Sequence, residues 1–507
     1  MNRRSVLAAA GAAAAVACCG PAAGLASAKT GGTLELGTTM APTTWAAESA
    51  TWGTVTPFYQ AVYDTLLRET AKGVMVPGLA TSWSYNKNHT LLTLQLRKGV
   101  KFSDGAAFNA KVAAENLTRY KAAGSANADF LSRVAQIKTV GDYELKLKLS
   151  EPDPSLLSNL SVDAGLQESP KAFKSSTLQT VPVGSGPYRL DTGATVAGSS
   201  YTFTKTPNYW DPSVQKYSKI VVKVYGSSQA MLDAIEGHQL NAALTEFDGS
   251  YATQVKKAGY ALHEYALGWV GINILDRGGQ LTPALKNVKV RQALNYAVNA
   301  KALLKSIQYG YGQLTQQPFQ SSSSAYVKSL NSTYSYNPAK AKQLLAAAGY
   351  PNGFSLTLPS GTLFDQNMLT VVAQELGQIG VKVTFQPVGV NNILAELLAP
   401  KFSAYAGATA NDGNPWNVAQ FEISPTSVWN PFHYTDPKVN RLIHTIQYGS
   451  TAAATAAGKA LNTYVVKNAW FVPWYESDSF FVTDAQTNAV IDEVNYFPNL
   501  WDITPKA

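Results

Sequence analysis

Apolar and polar residues alternate from Leu92 to Arg97, and this period of two predicts a strand with one buried face. A turn-forming triplet follows at Ser103-Asp104-Gly105. From Asn109 the apolar spacing becomes helical, and Asn109 itself is the expected N-cap of the helix. The pattern therefore predicts a strand, a turn and a helix in succession.

Further along the chain, apolar runs of strand length alternate with segments of helical spacing. Asn337 is predicted to cap a helix that has Pro338 at its first position and Gly349 just past its end. The other predicted elements are a first strand at 32–37, a helix at 57–68, strands at 220–225 and 241–244 around a helix at 229–236, a helix at 288–307, and strands at 354–358 and 381–386 around a helix at 365–378. Such alternation predicts an α/β fold with parallel strands and helical crossovers.

Ligands of open α/β sheets bind outside the carboxyl ends of the strands. In this chain that rule points to the loops around Ser360 and at residues 388–391. We therefore expect these loops, rather than the outer faces of the helices, to contact a ligand.

The composition is that of a large globular chain. Its 507 residues are 46% hydrophobic and 15% charged, which excludes a disordered polymer. The length exceeds one compact core and predicts two or three lobes. The formal net charge of +8 is spread without a Lys/Arg run, which argues against nucleic-acid binding.

The first 28 residues form a predicted export signal, in which Arg3-Arg4 gives a twin-arginine pattern before an Ala-rich run. That run is shorter than the roughly 20 apolar residues that a membrane helix needs. Two processing sites remain open, because the small residues before Lys29 suit ordinary cleavage, whereas an imperfect lipobox would attach a lipid to Cys18. Both cysteines lie in this segment, so no disulfide or thiolate metal site is expected in the folded body.

We found no convincing constellation for catalysis. G-x-S-x-G, H-E-x-x-H, Walker A and G-x-G-x-x-G sequences are absent, and the five histidines are scattered singly. S-x-x-K occurs at Ser84 and Ser213 and K-T-G at Lys29, but these short patterns arise by chance and no Ser-Asp-Asn element accompanies them. We therefore predict that the protein is not an enzyme and has neither a cofactor nor a bound metal.

Several longer strings share the pattern of one known family. They are PGLATSW at 77–83, RKGVKFSDG at 97–105, GSGPY at 184–188, NYWD at 208–211 and VRQAL at 290–294. With these strings the chain resembles the family 5 solute-binding proteins, the peptide, nickel and oligosaccharide receptors of ABC importers. The resemblance covers essentially everything after Gly32.

The resemblance implies a type II periplasmic-binding-protein fold, in which two α/β lobes are joined by a hinge and a third subdomain is inserted. The expected division is a signal at 1–28, lobe 1 at 33–68, 181–268 and 476–507, an inserted subdomain at 69–180, and lobe 2 at 269–475. The chain would then cross between lobes near Trp269 and again near Trp474.

The resemblance also implies a binding wall. In peptide-binding members a carboxylate associated with a D-x-x-[DE]-P motif pairs with the ligand's terminal ammonium. Here Asn411 and Asn414 replace the two acids, and Asp412 is one residue out of register. An amide offers only a neutral hydrogen bond, so oligosaccharides are expected beside oligopeptides as ligands. The expected binding residues are Trp45, Trp269, Ser360, Asn411, Asp412, Asn414 and Trp416.

The implied function is the capture of a small solute outside the cytoplasm by closure of the two lobes, followed by delivery to ABC permease subunits. The protein is expected to be a monomer at the periplasm or the outer face of the cytoplasmic membrane, free or anchored by lipid. A sensory receptor that hands its ligand-bound form to a membrane signalling protein is the main alternative, and an S-x-x-K serine hydrolase is a more distant one.

Overall fold

The computed structural model of the protein describes residues 31–506, apart from 52, 125–127, 246–248, 363, 390–391, 411–412 and 492–496. The predicted export signal and Cys18 lie outside the described residues. No helix of the described part is both long and apolar enough to cross a membrane.

Strands and helices are mixed along the whole described chain. The strands are β1 (Gly31–Thr38), β2 (Asp64–Thr65), β3 (Leu67–Glu69), β4 (Met75–Pro77), β5 (Ala80–Tyr85), β6 (Leu91–Leu96), β7 (Val134–Val140), β8 (Glu144–Leu149), β9 (Leu166–Gln167), β10 (Tyr188–Leu190), β11 (Ser200–Lys205), β12 (Tyr217–Val224), β13 (Ala242–Thr245), β14 (Ala261–Ile274), β15 (Gln313–Leu314), β16 (Ser355–Ser360), β17 (Lys382–Pro387), β18 (Ala404–Ala410), β19 (Phe471–Thr483), β20 (Thr487–Ala489) and β21 (Ile503–Pro505). The helices are α1 (Thr56–Val62), α2 (Ala110–Ala122), α3 (Leu156–Asn159), α4 (Ser228–Glu236), α5 (Ala252–Lys257), α6 (Val288–Ala297), α7 (Ala300–Ile307), α8 (Pro338–Ala347), α9 (Gln366–Gln378), α10 (Ile393–Leu397), α11 (Pro415–Val418), α12 (Pro437–Tyr448) and α13 (Thr451–Lys467), with a π-helical turn at Ala419–Ile423.

One sheet of nine strands runs through the molecule. Its order is β10-β11-β12-β1-β13-β19-β14-β18, with β15 also paired to β19. β1 lies parallel to both β12 and β13, as the α/β alternation predicted. β14 pairs antiparallel with β18 and β19, so the sheet is mixed rather than wholly parallel. The predicted α/β class is confirmed, whereas the lobe boundaries stay predictions because this sheet continues across the crossover.

Two long strands make the connection between the two halves of the sheet. β14 and β19 pair antiparallel from Ala261 opposite Thr483 to Asn273 opposite Phe471, with two register shifts on the way. One shift falls between Val270 and Gly271, where Pro473 lies opposite the glycine. A Cβ atom on Gly271 would lie 2.2 Å from the carbonyl oxygen of Val472, so the close approach of the two strands requires glycine there.

A separate sheet of four strands, in the order β5-β6-β8-β7, packs against α2. Leu92, Leu94 and Leu96 of β6 are buried between them, as their alternation predicted. The side chain of Asn109 accepts a hydrogen bond from the backbone N–H of Val112 at 3.1 Å, which confirms the predicted N-cap of α2. We call β5–β8 with α2, α3 and their connecting loops the four-stranded unit.

The predicted pattern around residues 337–387 is also confirmed. Asn337 caps α8, with Pro338 at its first position, by accepting from the N–H of Lys340 at 2.9 Å. β16 and β17 then form a parallel pair joined through α9, and Asp365 caps that helix through the N–H of Met368. At these positions the capping residues and the apolar spacing predict the same elements, and the tertiary packing is compatible with both.

Two predicted helices are present, but their predicted extents are wrong. The helix expected over 57–68 ends at Val62. Shortly after this end, the buried carboxylate of Asp64 accepts hydrogen bonds from Arg68, Tyr209, Trp210 and Ser185, and these bonds hold the chain out of a helical path. The second, expected over 288–307, is broken into two pieces.

The break in the second helix falls at Val298, whose backbone is extended with φ −102° and ψ 127°. Asn299 then caps α7 by accepting from the N–H of Ala302 at 3.1 Å. The backbone N–H of Asn299 donates to Glu375 Oε2 of α9 at 2.8 Å. The cap at Asn299 and a contact with α9, more than seventy residues away, therefore divide the segment.

Glu168 is a carboxyl group enclosed beside the four-stranded unit. Its side chain is 0% exposed, and its Oε1 accepts from the hydroxyl of Tyr63 at 3.3 Å. Glu48, paired with Arg119, lies nearby. Burial, and next the charge of Glu48, raises the pKa of Glu168 from its ordinary 4.5 to about 8.

We predict that the free energy of unfolding falls as pH rises from about 4.5 to about 8, because the buried carboxyl group of Glu168 must lose its proton over that range. Over that window the folded state holds a proton that the unfolded state has released, so ionisation of Glu168 costs folding free energy. Glu168→Gln should reduce the fall in unfolding free energy between pH 5 and pH 8 by about 2 kcal/mol, measured by urea unfolding at both pH values. The control is Glu236→Gln on the exposed face of α4. An unchanged slope in Glu168→Gln would contradict the assignment.

Candidate functional site

The four-stranded unit meets α11, the π-helical turn and α12 along a line that we call the seam. Three cavities of about 300, 270 and 390 Å³ lie along it. Trp416 lines the cavities of 300 and 390 Å³, and Asn414 and Pro415 line those of 270 and 390 Å³. Two of the residues expected at the ligand are therefore shared walls of neighbouring cavities.

Local backbone chemistry holds Asn414 and Trp416 in place. Asn414 Oδ1 accepts from the N–H of Trp416 at 2.9 Å and caps α11, which has Pro415 at its first position. Gly413, just before the cap, has φ 73°, a conformation that glycine adopts without strain. The ring of Trp416 is buried, and the π-helical turn follows directly. Such turns are frequent at functional sites.

Direct bonds join the two sides of the seam. Arg133 Nη2 donates to Gln420 Oε1 at 2.8 Å, and its guanidinium lies 5.2 Å from the centroid of the Trp416 ring. Arg133 also pairs through Nε with Glu151 Oε1 at 2.8 Å. The hydroxyl of Tyr448 donates to Glu151 Oε2 at 3.0 Å. The Arg133–Glu151 pair thus contacts residues on the other side of the seam, Gln420 and Tyr448, which are nearly 300 positions away in sequence.

The charge of Glu151 is favoured by these partners. Burial alone would raise its pKa, but the hydrogen bonds from Arg133 and Tyr448 and the positive charge of Arg133 outweigh it and lower the pKa. Gln447 Nε2 adds a bond to the backbone oxygen of Pro152 at 3.0 Å. The seam is therefore a polar, charged contact and not an apolar one.

A buried carboxylate links the seam to the crossover strands. Glu476 lies on β19 opposite Trp269, and it accepts from both the N–H and the hydroxyl of Ser321 at 2.8 Å. Burial raises the pKa of Glu476. The neighbouring Ser322 lines the 270 Å³ cavity. One loop thus contacts both the crossover and a seam cavity.

The other expected residues lie elsewhere. Trp45 is 3% exposed and packs edge-on against Phe58 and Tyr59, while Trp269 is 1% exposed and packs against Phe471. Ser360 is nearly buried at the end of β16. Asn411 and Asp412 lie outside the described residues, as do residues 390–391 of the expected ligand loop. The binding roles of all these residues stay predictions.

The sequence did not single out Arg133, Glu151 or Tyr448. Lone charged and aromatic residues are common on protein surfaces, and the partners are brought together only by the fold. A charge pattern along one element could not have found them, because the two sides of the seam come from distant parts of the chain.

Metal ligation has no candidate among the residues that the structure describes. Within them, no group of three or more His, Cys, Asp and Glu side chains lies close enough to hold a metal ion.

A mixed α/β fold with a two-strand crossover and a cavity-lined seam defines the class of two-lobed binding proteins. The family model "Bacterial extracellular solute-binding proteins, family 5 Middle" matches residues 74–430, and the chain belongs to that family. Its fold is that of the type II periplasmic binding proteins. Members of the family bind small solutes outside the cytoplasm, serve ABC importers and are binding proteins rather than enzymes.

Among curated relatives, the glutathione-binding protein GsiB of Pectobacterium atrosepticum is 30% identical over 399 residues, which is 71% of this chain and 72% of the relative. The solved structure of HbpA2 from Haemophilus parasuis superposes with a TM-score of 0.82 at 20% identity, covering 94% of this chain and 100% of the other. The periplasmic binding protein DppA from Helicobacter pylori, in complex with the peptide STSA, gives a TM-score of 0.76 at 21% identity, with 94% and 99% covered.

We predict that the bonds of Arg133 hold the seam together. Arg133→Met keeps the aliphatic stem but removes the donors to Glu151 and Gln420, and for partly exposed groups we expect a loss of about 1 to 2 kcal/mol in favour of a more open form. Small-angle scattering of the ligand-free protein should show a larger radius of gyration.

The matched control is Lys401→Met, which removes a surface ion pair with Glu396 away from the seam. Its radius of gyration should stay at the wild-type value. An unchanged radius in Arg133→Met would show that other contacts hold the two sides together.

Proposed function

We propose that the protein is the receptor of an ABC importer for a peptide-class solute, which it binds between its lobes and delivers to membrane permease subunits. The observation that carries the ligand class is the charge of the seam. Arg133, Glu151, Asp129 and Asp153 lie at or beside a cavity of about 300 Å³ that also has aromatic walls. Charged groups of both signs beside aromatic rings suit zwitterionic ligands with side chains.

The relatives support the same class. The curated relative above is named for binding glutathione, a tripeptide, and one structural neighbour holds the peptide STSA. Glutathione and STSA are both short peptides. The amides at Asn411 and Asn414 led us to expect oligosaccharides as well as peptides. Binding of an oligosaccharide is therefore one of the outcomes that the test below distinguishes.

The proposed mechanism is a shift of population between open and closed forms. Contacts of the solute with both sides of the seam would favour the closed form, and the β14–β19 crossover would serve as the hinge. Asn414 and Trp416 are the proposed binding residues at the seam. Binding roles for Asn411, Asp412, Ser360, Trp45 and Trp269 are proposed from the sequence alone. No bond of the solute is made or broken.

We propose further that the Arg3-Arg4 signal exports the chain in folded form, and that the mature protein acts as a monomer. Anchoring at Cys18 and release after residue 28 are two forms of the same proposal. Mass spectrometry of the exported protein separates them, because lipid attachment adds an acyl mass to a chain that begins at Cys18.

We expect glutathione or the tetrapeptide Ser-Thr-Ser-Ala to raise the melting temperature of the protein from Lys29 onward, and maltotriose to leave it unchanged. A ligand at about 100 times its Kd adds roughly 2.7 kcal/mol to the free energy of unfolding. Titration calorimetry then measures the affinity of each hit. The measurement is repeated with a panel of peptides of two to five residues. The peptide class would be contradicted if maltotriose alone stabilised the protein, or if none of the peptides did.

A further inference from the structure

Asp153 lies in the seam, between two of its cavities. Its side chain lines both the 300 Å³ and the 390 Å³ cavity, yet the residue is only 6% exposed. Pro152 and Pro154 flank it in sequence, and the proline that follows restricts its backbone to extended conformations. The carboxylate is therefore held at a fixed position on the cavity wall.

Only one of its two carboxylate oxygens is occupied within the protein. Oδ1 accepts from the N–H of Ser155 at 3.0 Å and from the hydroxyl of Ser155 at 2.7 Å. Oδ2 makes no hydrogen bond with any described residue, and no cationic side chain of the described chain pairs with it. Oδ2 is not among the fully buried, unpartnered side-chain atoms of the described residues, so it is open to the cavities that Asp153 lines, where a cationic group of a ligand can reach it.

The surroundings of Asp153 favour a cation. Arg133 lines the same 300 Å³ cavity, but its charge is already engaged by Glu151 at 2.8 Å. Asp129 adds a second carboxylate to the lining. The rings of Phe130 and Trp416 lie on the same cavity wall, and aromatic faces attract cations as well as apolar groups.

We propose that Asp153 binds a primary ammonium group of the solute through Oδ2, with the aromatic rings of the 300 Å³ cavity beside it. This deepens the proposed function, on which it rests, by naming the ligand group that the inserted part of the chain recognises. An ammonium has three donors, so it satisfies Oδ2 and leaves two donors for other acceptors in the cavity. The bond is charge-assisted on both sides and is correspondingly strong.

The variant for the test is Asp153→Asn. With its amide oxygen at the Oδ1 position, Asn still accepts both bonds from Ser155, while the variant loses the negative charge and places an NH2 donor where Oδ2 was the acceptor. The matched control is Asp142→Asn, which makes the same change at an exposed position in the turn between β7 and β8 that lines none of the three cavities. Equal melting temperatures of the three proteins establish that all are folded.

The probes are phenylalaninamide, which carries an ammonium, and N-acetylphenylalaninamide, its neutral counterpart. Dissociation constants come from ligand-observed NMR titrations. We expect the wild type and Asp142→Asn to bind the amine at least tenfold more tightly than the acetylated probe. We expect Asp153→Asn to lose that preference. Equal binding of the two probes by the wild type, absence of binding of the amine, or an undiminished preference in Asp153→Asn overturns the proposal.

The peptide panel separates this proposal from the proposed function. If peptides bind but Asp153→Asn keeps full affinity for free amino termini, the peptide class stands and the ammonium site falls. If no peptide binds but the amine depends on Asp153, the ammonium site stands and the peptide class falls. Loss of the amine preference in Asp412→Asn, with Asp153→Asn unchanged, would assign the ammonium to the other acid.

Discussion

The pairing of β14 with β19 is the constraint on which the rest of the structure depends. β19 pairs with β13 and β14 pairs with the edge strand β18, so the strands from β10 to β13 on one side and β18 on the other are held together in the sheet through this ladder. The two register shifts and the glycine at 271 let the strands approach where the chain passes between the halves. Glu476 of β19 connects this ladder to the seam, because it accepts a hydrogen bond from Ser321 and the next residue of that loop lines a seam cavity.

Much of the fold follows from local signals. The alternation at 92–96 and the caps at Asn109 and Asn337 each specify an element whose packing agrees with its sequence. The failures occur where a distant partner decides. Asp64 ends the first helix because four side chains converge on it, and Glu375 takes the N–H of Asn299 at the break in another. Propensity is a weak guide where such tertiary bonds compete with it.

The site was less accessible to sequence reasoning than the fold. Asn414 and Trp416 could be found because a family motif surrounds them. Arg133, Glu151 and Asp153 could not, since their role comes from a surface that forms only when the four-stranded unit meets α11 and α12. Their isolated positions in the sequence resemble those of any solvated charge. Burial, bond partners and the cavities between them distinguish these residues, and all three are properties of the assembled chain.

The unbroken sheet has a mechanical consequence. If the halves of the molecule move apart, the hydrogen bonds between β14 and β19 need not break, because a two-stranded ribbon can twist further about its own axis. Opening would then be a torsion spread over the ribbon, softest at the two bulges, and not rotation about a loose joint. Such a ribbon stores elastic energy in proportion to the angle squared. The ribbon by itself would therefore favour one angle, and the contacts across the seam would add to that preference or oppose it.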